Sequence, residues 1–521
     1  MNRFTPSRRV RAPVCLGPAA RRAAGRRREP REPREPPYAA RARRVAAADE
    51  FFLHVQTPDN PQYVGGVAIL DTSAAPPPTV EALRGHLAER LPAMSRLTRR
   101  LRPAGRARHH RWVAGGQLDL AWHVQETALP GRGGRPALDE LVATLGTTPL
   151  DPDRPPWRIW LVHGPDLHRT AVVVIVHHAV ADGLGVVALL RNLLDAPGAI
   201  PPTAAGEATP RPACRAARRA VAPAAHACLT RPVAVVQGLV SLGRDAAAPP
   251  MSLCGPLSRS RAYLTSTWSL PRLRACADRL DVRMTDLLLA AVGQAAARAV
   301  AATGEEPAGQ VLRAAVPVTL SLPGPAGPGV PRGPGNRTAA LRLDVPLGPM
   351  PAARRAEQVG RAARGRRTSA GLLASTAAVR LMGVLPPSLH RAAVRSVYQA
   401  RFFTAIVSNM RGAPRPLELL GRPLLDVHPI VPLAARVPIS VGALGWNDRY
   451  CVAATVDPAL VDPALVDPAA FAAGLNDALA ALSAPYRAAP APGRTASHRG
   501  DDRATDTGAW CHQHPVTIPI S

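Results

Sequence analysis

The sequence predicts a mixed α/β fold built from two consecutive blocks, at about 46–200 and 256–484. A chain of 521 residues is too long for one ordinary core, and its 46% hydrophobic content supplies ample buried material. Strand-like and helix-like segments alternate within each block. The Arg- and Pro-rich residues 1–45 and the polar tail 485–521 are expected to be disordered, and the Pro-, Ala- and Arg-rich 201–255 to be a connector.

The apolar patterns place the elements in order. The first block is expected to contain strands near 65–70 and 161–176 and a helix near 80–91, and the connector a helical piece at 232–242. The second block is expected to contain helices at 270–280, 285–302 and 469–482, and strands at 312–318, 338–345, 405–408 and 437–444. No apolar run reaches the roughly twenty residues of a spanning helix. We therefore expect a cytoplasmic protein, with peripheral contact to membrane or lipid inclusions left open.

The net charge is +28, and every basic residue counted in it is Arg, because the chain has no Lys. Together with abundant Ala, Pro and Gly, this composition favours GC-rich coding bias over nucleic-acid binding, and no recognised module or aromatic interleaving accompanies the charge. The seven cysteines are scattered without a CxxC pair, which favours reduced thiols and no metal site. Only the tail Cys511-His-Gln-His514 offers a weak set of candidate ligands.

The main candidate site lies where the apolar run 171–176 meets His177, His178, Asp182 and Gly183. An apolar helix pattern follows at once, so the two histidines mark a strand-to-loop junction, a common place for catalytic groups. Successive side chains of an extended segment point to opposite faces. We therefore expect one histidine to act and the other to support the scaffold.

This segment resembles the HHxxxDG signature of the CoA-dependent acyltransferase superfamily. Over about 46–484 the chain further resembles its bacterial wax ester synthase/diacylglycerol acyltransferase family. The motifs that carry this resemblance are the opening near Asp49 and 63–67, the PLDRxRPLW-like stretch 149–157, the step at 122–124, and the elements at 316–319, 335–337 and 408–412.

The resemblance implies two chloramphenicol-acetyltransferase-like domains in a V with a tunnel between them. It also implies His178 as general base in acyl transfer from acyl-CoA to diacylglycerol or a long-chain alcohol, without a separate cofactor. His177 would support the scaffold, Asp182 would turn away to an Arg partner, for which Arg313 is the candidate, and Gly183 would permit the turn. Asn409, Ser408 and Asp286 are candidate substrate-binding residues.

Three departures from the family pattern keep other functions open. Thr285, Cys254 and Ser321 stand where the family is expected to have Asn, Asn and Arg. One alternative is a catalytically degenerate, lipid-binding member; another is an acyltransferase that uses a carrier-protein thioester. Thr285 and Asp286 also fit an ordinary helix start, in which a polar side chain caps the first turn.

Overall fold

The computed structural model describes residues 42–102, 108–131, 133–166, 168–195, 248–319, 336, 338–367, 382–413, 415–458 and 466–485. The predicted connector helix at 232–242, Ser321 and the Cys511–His514 set lie outside these residues.

Ten α-helices are assigned in the described part of the chain. They are α1 Ala47–Val55, α2 Val80–Arg90, α3 Leu120–His123, α4 Arg135–Thr147, α5 Gly183–Leu193, α6 Leu270–Arg279, α7 Met284–Ala302, α8 Ala352–Arg367, α9 Pro387–Val397 and α10 Pro468–Ser483.

The strands alternate with these helices. They are β1 Arg43–Arg44, β2 Tyr63–Asp71, β3 Arg99–Arg102, β4 Arg111–Ala114, β5 Val124–Ala128, β6 Trp157–Asp166, β7 Arg169–His177, β8 Ala262–Ser269, β9 Val311–Thr319, β10 Thr338–Pro346, β11 Ala405–Arg411, β12 Glu418–Leu419, β13 Arg422–Ile430, β14 Ile439–Trp446 and β15 Arg449–Val456.

Two six-stranded mixed sheets form the framework, which confirms the predicted α/β class. The first has the order β12-β13-β2-β7-β6-β5 and the second β10-β9-β11-β14-β15-β8. A three-stranded sheet, β1-β4-β3, lies beside them. The V arrangement of two domains stays a prediction.

Strand β7 lies inside the first sheet, between β2 and β6. Its residues from Thr170 to His177 are all buried, as the unbroken apolar run predicts. The close pairing with β2 depends on Gly65, where a Cβ would lie 1.9 Å from the carbonyl oxygen of Val174. A tightly paired sheet thus carries the histidine junction.

One predicted element was wrong. The strand expected at 161–176 is two antiparallel strands, β6 and β7, with Asp166 paired to Arg169 and His168 in the turn between them. The backbone N–H of His168 donates to Asp166 Oδ1 at 2.8 Å, a local bond that favours a turn over a continuous strand. Polar residues in the middle of the run were the signal for this turn.

Strand β13 belongs to the second block in sequence but pairs antiparallel with β2 in the first sheet. The register aligns Ile430 with Gly65 and Val427 with Ala68. The two sequence blocks therefore do not correspond to two separate sheets. Sequence periodicity describes each strand by itself and contains no information about this crossover.

Helix α7 is long and apolar enough, by length and composition, to cross a membrane, but 67% of its apolar window is buried inside the protein. It packs against α10 and α8. Its apolar residues form one hydrophobic cluster with strands of the second sheet. These contacts are those of a core helix.

Candidate active site

His177 ends β7 and points into the scaffold. Its Nδ1 accepts the backbone N–H of Ala179 at 3.0 Å, and its Nε2 lies 2.9 Å from Gln56 Oε1. Because Nδ1 is the acceptor, Nε2 carries the proton and donates to Gln56. Burial lowers the pKa of His177 to about 3, and the neighbouring His178 contributes to this shift. The ring is therefore neutral and fully bonded, in a position that fits support of the loop.

His178 faces the other way and lines a large cavity. Its backbone N–H donates to Gln62 O at 2.8 Å, while its carbonyl accepts from Asn336 Nδ2 at 2.9 Å. The ring stacks on Phe52, with centroids 3.6 Å apart and planes inclined by 11°. The loop is thus held on both sides while the imidazole remains at the cavity wall.

Burial lowers the pKa of His178 to about 4, partly offset by the carboxylate of Asp182 and the bond from Asn336. An ordinary histidine has a pKa near neutrality. In the fold the imidazole is neutral well below pH 7, which is the form a general base requires.

Asp182 caps helix α5, since its Oδ1 accepts the backbone N–H of Gly185 at 2.8 Å. It also lines the cavity, and the turn of its carboxylate toward an Arg partner stays a prediction. The charge of Asp182 raises the pKa of His178 against burial. Its position therefore serves both the turn and the electrostatics of the histidine.

Arg313 is not the ion-pair partner that the sequence suggests for Asp182. It lies on β9, and its Nε and Nη2 bond Asp344 of the adjacent β10 at 2.7 and 3.1 Å. Residues 313 and 344 are direct cross-strand partners in the register. This pairing explains the error, because it depends on sheet register and not on sequence motifs.

Gly183 packs closely against β11. A Cβ at this position would lie 2.8 Å from Met410 Sδ, so the flexible Met410 side chain would have to shift to admit one. The φ of Gly183 is not among the positive values, so the backbone conformation does not itself call for glycine.

Three residues that the site prediction did not include hold the histidine loop. Asp49 accepts the backbone N–H of Asn336 at 2.8 Å and its Nδ2 at 3.0 Å, both at Oδ1. Arg96 donates to Asp49 Oδ2 at 3.1 Å and to Val180 O at 2.8 Å. Burial raises the pKa of Asp49, opposed by Arg96 and Asn336. Asp49 and Asn336 both lie in motifs that resemble those of the family, so the sequence did contain a signal for these two residues.

The predicted substrate-binding residues divide between two faces of the second sheet. Ser408 lines the cavity, whereas its neighbour Asn409 does not. Asn409 Nδ2 donates to Thr285 Oγ1 at 3.2 Å, and Asn409 Oδ1 accepts from Tyr450 Oη at 3.2 Å. Alternation along β11 explains the split, since adjacent side chains point to opposite faces. The position of Asn409 therefore does not support its predicted role in substrate binding.

Asp286 is buried and away from the cavity lining. Its Oδ2 accepts the backbone N–H of Arg283 at 2.9 Å, a side-chain bond that caps the start of α7. The helix-cap alternative therefore describes its position better than substrate binding. Cys254 is a free thiol whose pKa burial raises to about 12.

The cavity has a volume of about 400 Å³ and joins α1, α5 and strands of both sheets. This volume lies within the range of small-molecule sites. Most of the surface is aliphatic or aromatic, and a few polar groups converge on it: His178, Asp182, Asn336, Arg342 and Ser408.

Comparison with known families gives a match over most of this framework. The model of the wax ester synthase/diacylglycerol acyltransferase catalytic domain matches residues 45–288, and that of the C-terminal domain of the same family matches 334–483. The chain belongs to this family. The resemblance seen over 46–484 is confirmed, and the protein is an acyltransferase of the wax ester synthase/diacylglycerol acyltransferase type.

Individual relatives agree with this assignment. A probable diacylglycerol O-acyltransferase of Mycobacterium tuberculosis is 28% identical over 404 residues, which cover 74% of this chain and 84% of that protein. The solved wax ester synthase/diacylglycerol acyltransferase of Marinobacter aquaeolei is 20% identical, with a TM-score of 0.61, covering 84% of this chain and 98% of that one.

More distant structures share the fold of this family. The starter condensation domain of a rhizomide synthetase mutant, solved with C8-CoA, has a TM-score of 0.53 and 14% identity, covering 85% of this chain and 94% of that one. At this identity the likeness concerns the fold alone.

Proposed function

We propose that the protein transfers a long-chain acyl group from acyl-CoA to diacylglycerol or a long-chain alcohol, giving triacylglycerol or a wax ester. The observation that carries the proposal is the neutral His178 imidazole at the wall of the apolar cavity. Membership of the family supports acyl transfer as the reaction. The relatives are named diacylglycerol O-acyltransferases, which supports diacylglycerol as the acceptor. The solved neighbour with C8-CoA supports acyl-CoA as donor.

In the proposed mechanism His178 takes the proton of the acceptor hydroxyl as its oxygen attacks the thioester carbonyl. The resulting imidazolium is stabilised by Asp182, whose charge favours the protonated ring. When the C–S bond breaks, the proton passes from His178 to the departing CoA sulfur. The ester and free CoA are the products, and neither a covalent acyl-enzyme nor a cofactor is needed.

The cavity walls suit long apolar substrates. Aromatic and aliphatic side chains from α1, α5 and β13 surround the histidine, among them Phe51, Phe52, Val187 and Leu190. Excluding water from such a site limits hydrolysis of the thioester. Ser408 lies on the same wall and is the candidate that remains for contact with the substrate carbonyl.

Contact with a lipid surface is part of the proposal, alongside a cytoplasmic location. Val384 and Leu389 are 79% and 56% exposed, and Val397 at the end of α9 is 37% exposed. Val397 also lines the cavity, as does Met382 beside this segment. Exposed apolar side chains next to an apolar cavity favour delivery of lipid acceptors from membrane or lipid inclusions.

The test is CoA release by the purified full chain given palmitoyl-CoA with diacylglycerol or with hexadecanol. His178→Ala should lower acceptor-dependent turnover by about 10²- to 10⁴-fold, the usual contribution of a general base. His163→Gln, a surface histidine paired with Glu126, is the matched control and should leave turnover unchanged. Equal, acceptor-independent release by wild type and folded His178→Ala would contradict the proposal and favour the degenerate lipid binder.

A further inference from the structure

A second histidine cluster lies on the side of α1 away from the cavity. Glu50 and His54 come from α1, His109 and His110 precede β4, and His390 lies on α9. Glu50 has no exposed side-chain surface, and the side chains of His54 and His390 are 6% and 1% exposed. None of these five residues lines the cavity that contains His178.

Two of the imidazoles hold the Glu50 carboxylate. His109 Nδ1 lies 2.7 Å from Oε2, and His110 Nδ1 lies 2.9 Å from Oε1, with the backbone N–H of His110 also donating to Oε1 at 2.8 Å. Arg44 donates to His109 Nε2 at 2.8 Å, which leaves the proton of His109 on Nδ1, facing Glu50. These bonds outweigh burial and lower the pKa of Glu50 to about 2.

The other two imidazoles, those of His54 and His390, have no hydrogen bonds within the described part of the chain that would account for their burial. Among the described residues, His54 Nε2 and both ring nitrogens of His390 are buried without a hydrogen-bond partner. A buried imidazole nitrogen without a partner is costly, and such groups in native proteins commonly mark an ion or a functional site.

The donor atoms have the spacing of a metal site. His54 Nε2 lies 3.9 Å from Glu50 Oε1, and His390 Nδ1 lies 3.8 Å from Oε2. The three groups offer ligand atoms that all lie within 4.8 Å of one another. Metal–ligand bonds of about 2.0–2.2 Å place neighbouring tetrahedral ligands about 3.4 Å apart, so binding would draw these atoms together by up to about 1.4 Å.

We propose that Glu50, His54 and His390 bind a divalent first-row transition ion, with Zn²⁺ as the natural probe. Two imidazoles and a carboxylate are a ligand set that such ions take. His109 and His110 act as the outer partners that orient Glu50, as second-shell groups do in metal sites.

The ion would cross-link segments that are distant in the chain. It would join α1 to α9, and the ends of the same two helices contribute Phe52 and Val397 to the wall of the cavity. Phe52 is the residue that stacks on His178. The site is therefore structural, and it acts on the cavity by fixing its wall.

The experiment uses the full chain, freed of any histidine tag, stripped with a chelator and titrated with Zn²⁺ or Co²⁺. Wild type should bind one equivalent, detected by elemental analysis and by the Co²⁺ absorption spectrum, and its Tm should rise with Zn²⁺. His54→Gln and His390→Gln should each lower affinity by more than the roughly 10- to 100-fold that loss of an outer partner costs. His109→Gln should fall within that smaller range.

Two controls keep the proposal falsifiable. His163→Gln should bind the ion as wild type does. His428→Gln removes the central histidine of another buried trio, Asp426, His428 and Cys451, and should also bind normally. Absence of binding and of any Zn²⁺-dependent rise in Tm in the wild-type chain would overturn the proposal, whatever the variants do. Loss of the ion in His428→Gln with retention in His390→Gln would overturn it equally.

Discussion

The histidine loop and the start of helix α7 both contain motif residues of the family, but the two regions are used differently. In the loop, His178, Asp182 and Gly183 lie at the cavity. At the start of α7, Thr285 and Asp286 bond Asn409 and the backbone of Arg283, away from the cavity lining. Thr285, which departs from the family pattern, therefore lies in a network of packing and capping contacts. Its hydroxyl can accept the bond from Asn409 as well as the amide of an Asn could.

The largest loss of stability is expected on substitution of Asn336, which joins the histidine loop to the second half of the chain. This substitution tests whether the loop depends on the network that holds it. Asn336→Ala removes the side-chain bonds to Asp49 and to the His178 carbonyl, and leaves that carbonyl without this partner, while the backbone bond to Asp49 remains. The expected loss is about 1–3 kcal/mol of unfolding free energy, with lower turnover. Urea denaturation measures it, beside the exposed Asn192→Ala as control. Equal stability of the two variants would show that the network is not needed.

The pH dependence of turnover tests the electrostatics of the loop. A histidine with an ordinary pKa of about 6.5 would lose roughly tenfold in its neutral form at pH 5.5. The pKa of His178 is lowered to about 4, so its base form is lost only as the pH falls through that value. The kcat/KM at pH 5.5 should therefore stay close to its value at pH 7.5. A midpoint near 6.5 would contradict this.

Stability must be followed at the same pH values. The pKa of His177 is lowered to about 3, so the stability from its buried neutral ring is complete above about pH 6.5 and is lost progressively as the pH falls toward 3. Circular dichroism at each pH separates unfolding from titration of the base.

A smaller effect is expected at the start of α7. Asp286→Ala removes the side-chain bond to Arg283 N and should cost about 0.5–2 kcal/mol, the usual range for a helix cap, with KM unchanged. The exposed Asp278→Ala on α6 is the matched control. A raised KM in Asp286→Ala, without loss of stability, would instead favour a role in substrate binding.

The smallest effect is expected for Thr285→Asn, which restores the family residue. The Asn side chain can still accept from Asn409, so stability should change by less than about 0.5 kcal/mol and turnover should be almost unaffected. Steady-state kinetics beside wild type provides the measurement. A large rise in turnover would show that the departure had weakened the enzyme.

The sequence allows prediction of those features that depend on local pattern. The run before His177 predicts a buried strand, and the loop residues fall where the motif requires them. Partners set by three-dimensional register were not predictable: Arg313 bonds Asp344 across two strands, and Asn409 faces away from Ser408. The cluster around Glu50 was equally hidden, because His54 and His390 approach each other only through packing of α1 against α9.

The pairing of β13 with β2 cannot form until late in synthesis of the chain. Its partner β2 ends at Asp71, yet β13 begins only at Arg422. At a translation rate of roughly 5–20 residues per second, β2 would leave the ribosome roughly 20–70 s before that partner. During this interval its apolar edge is open to pairing with other chains. Productive folding in the cell is thus expected to depend on protecting the nascent first sheet until the chain has been made as far as Ile430.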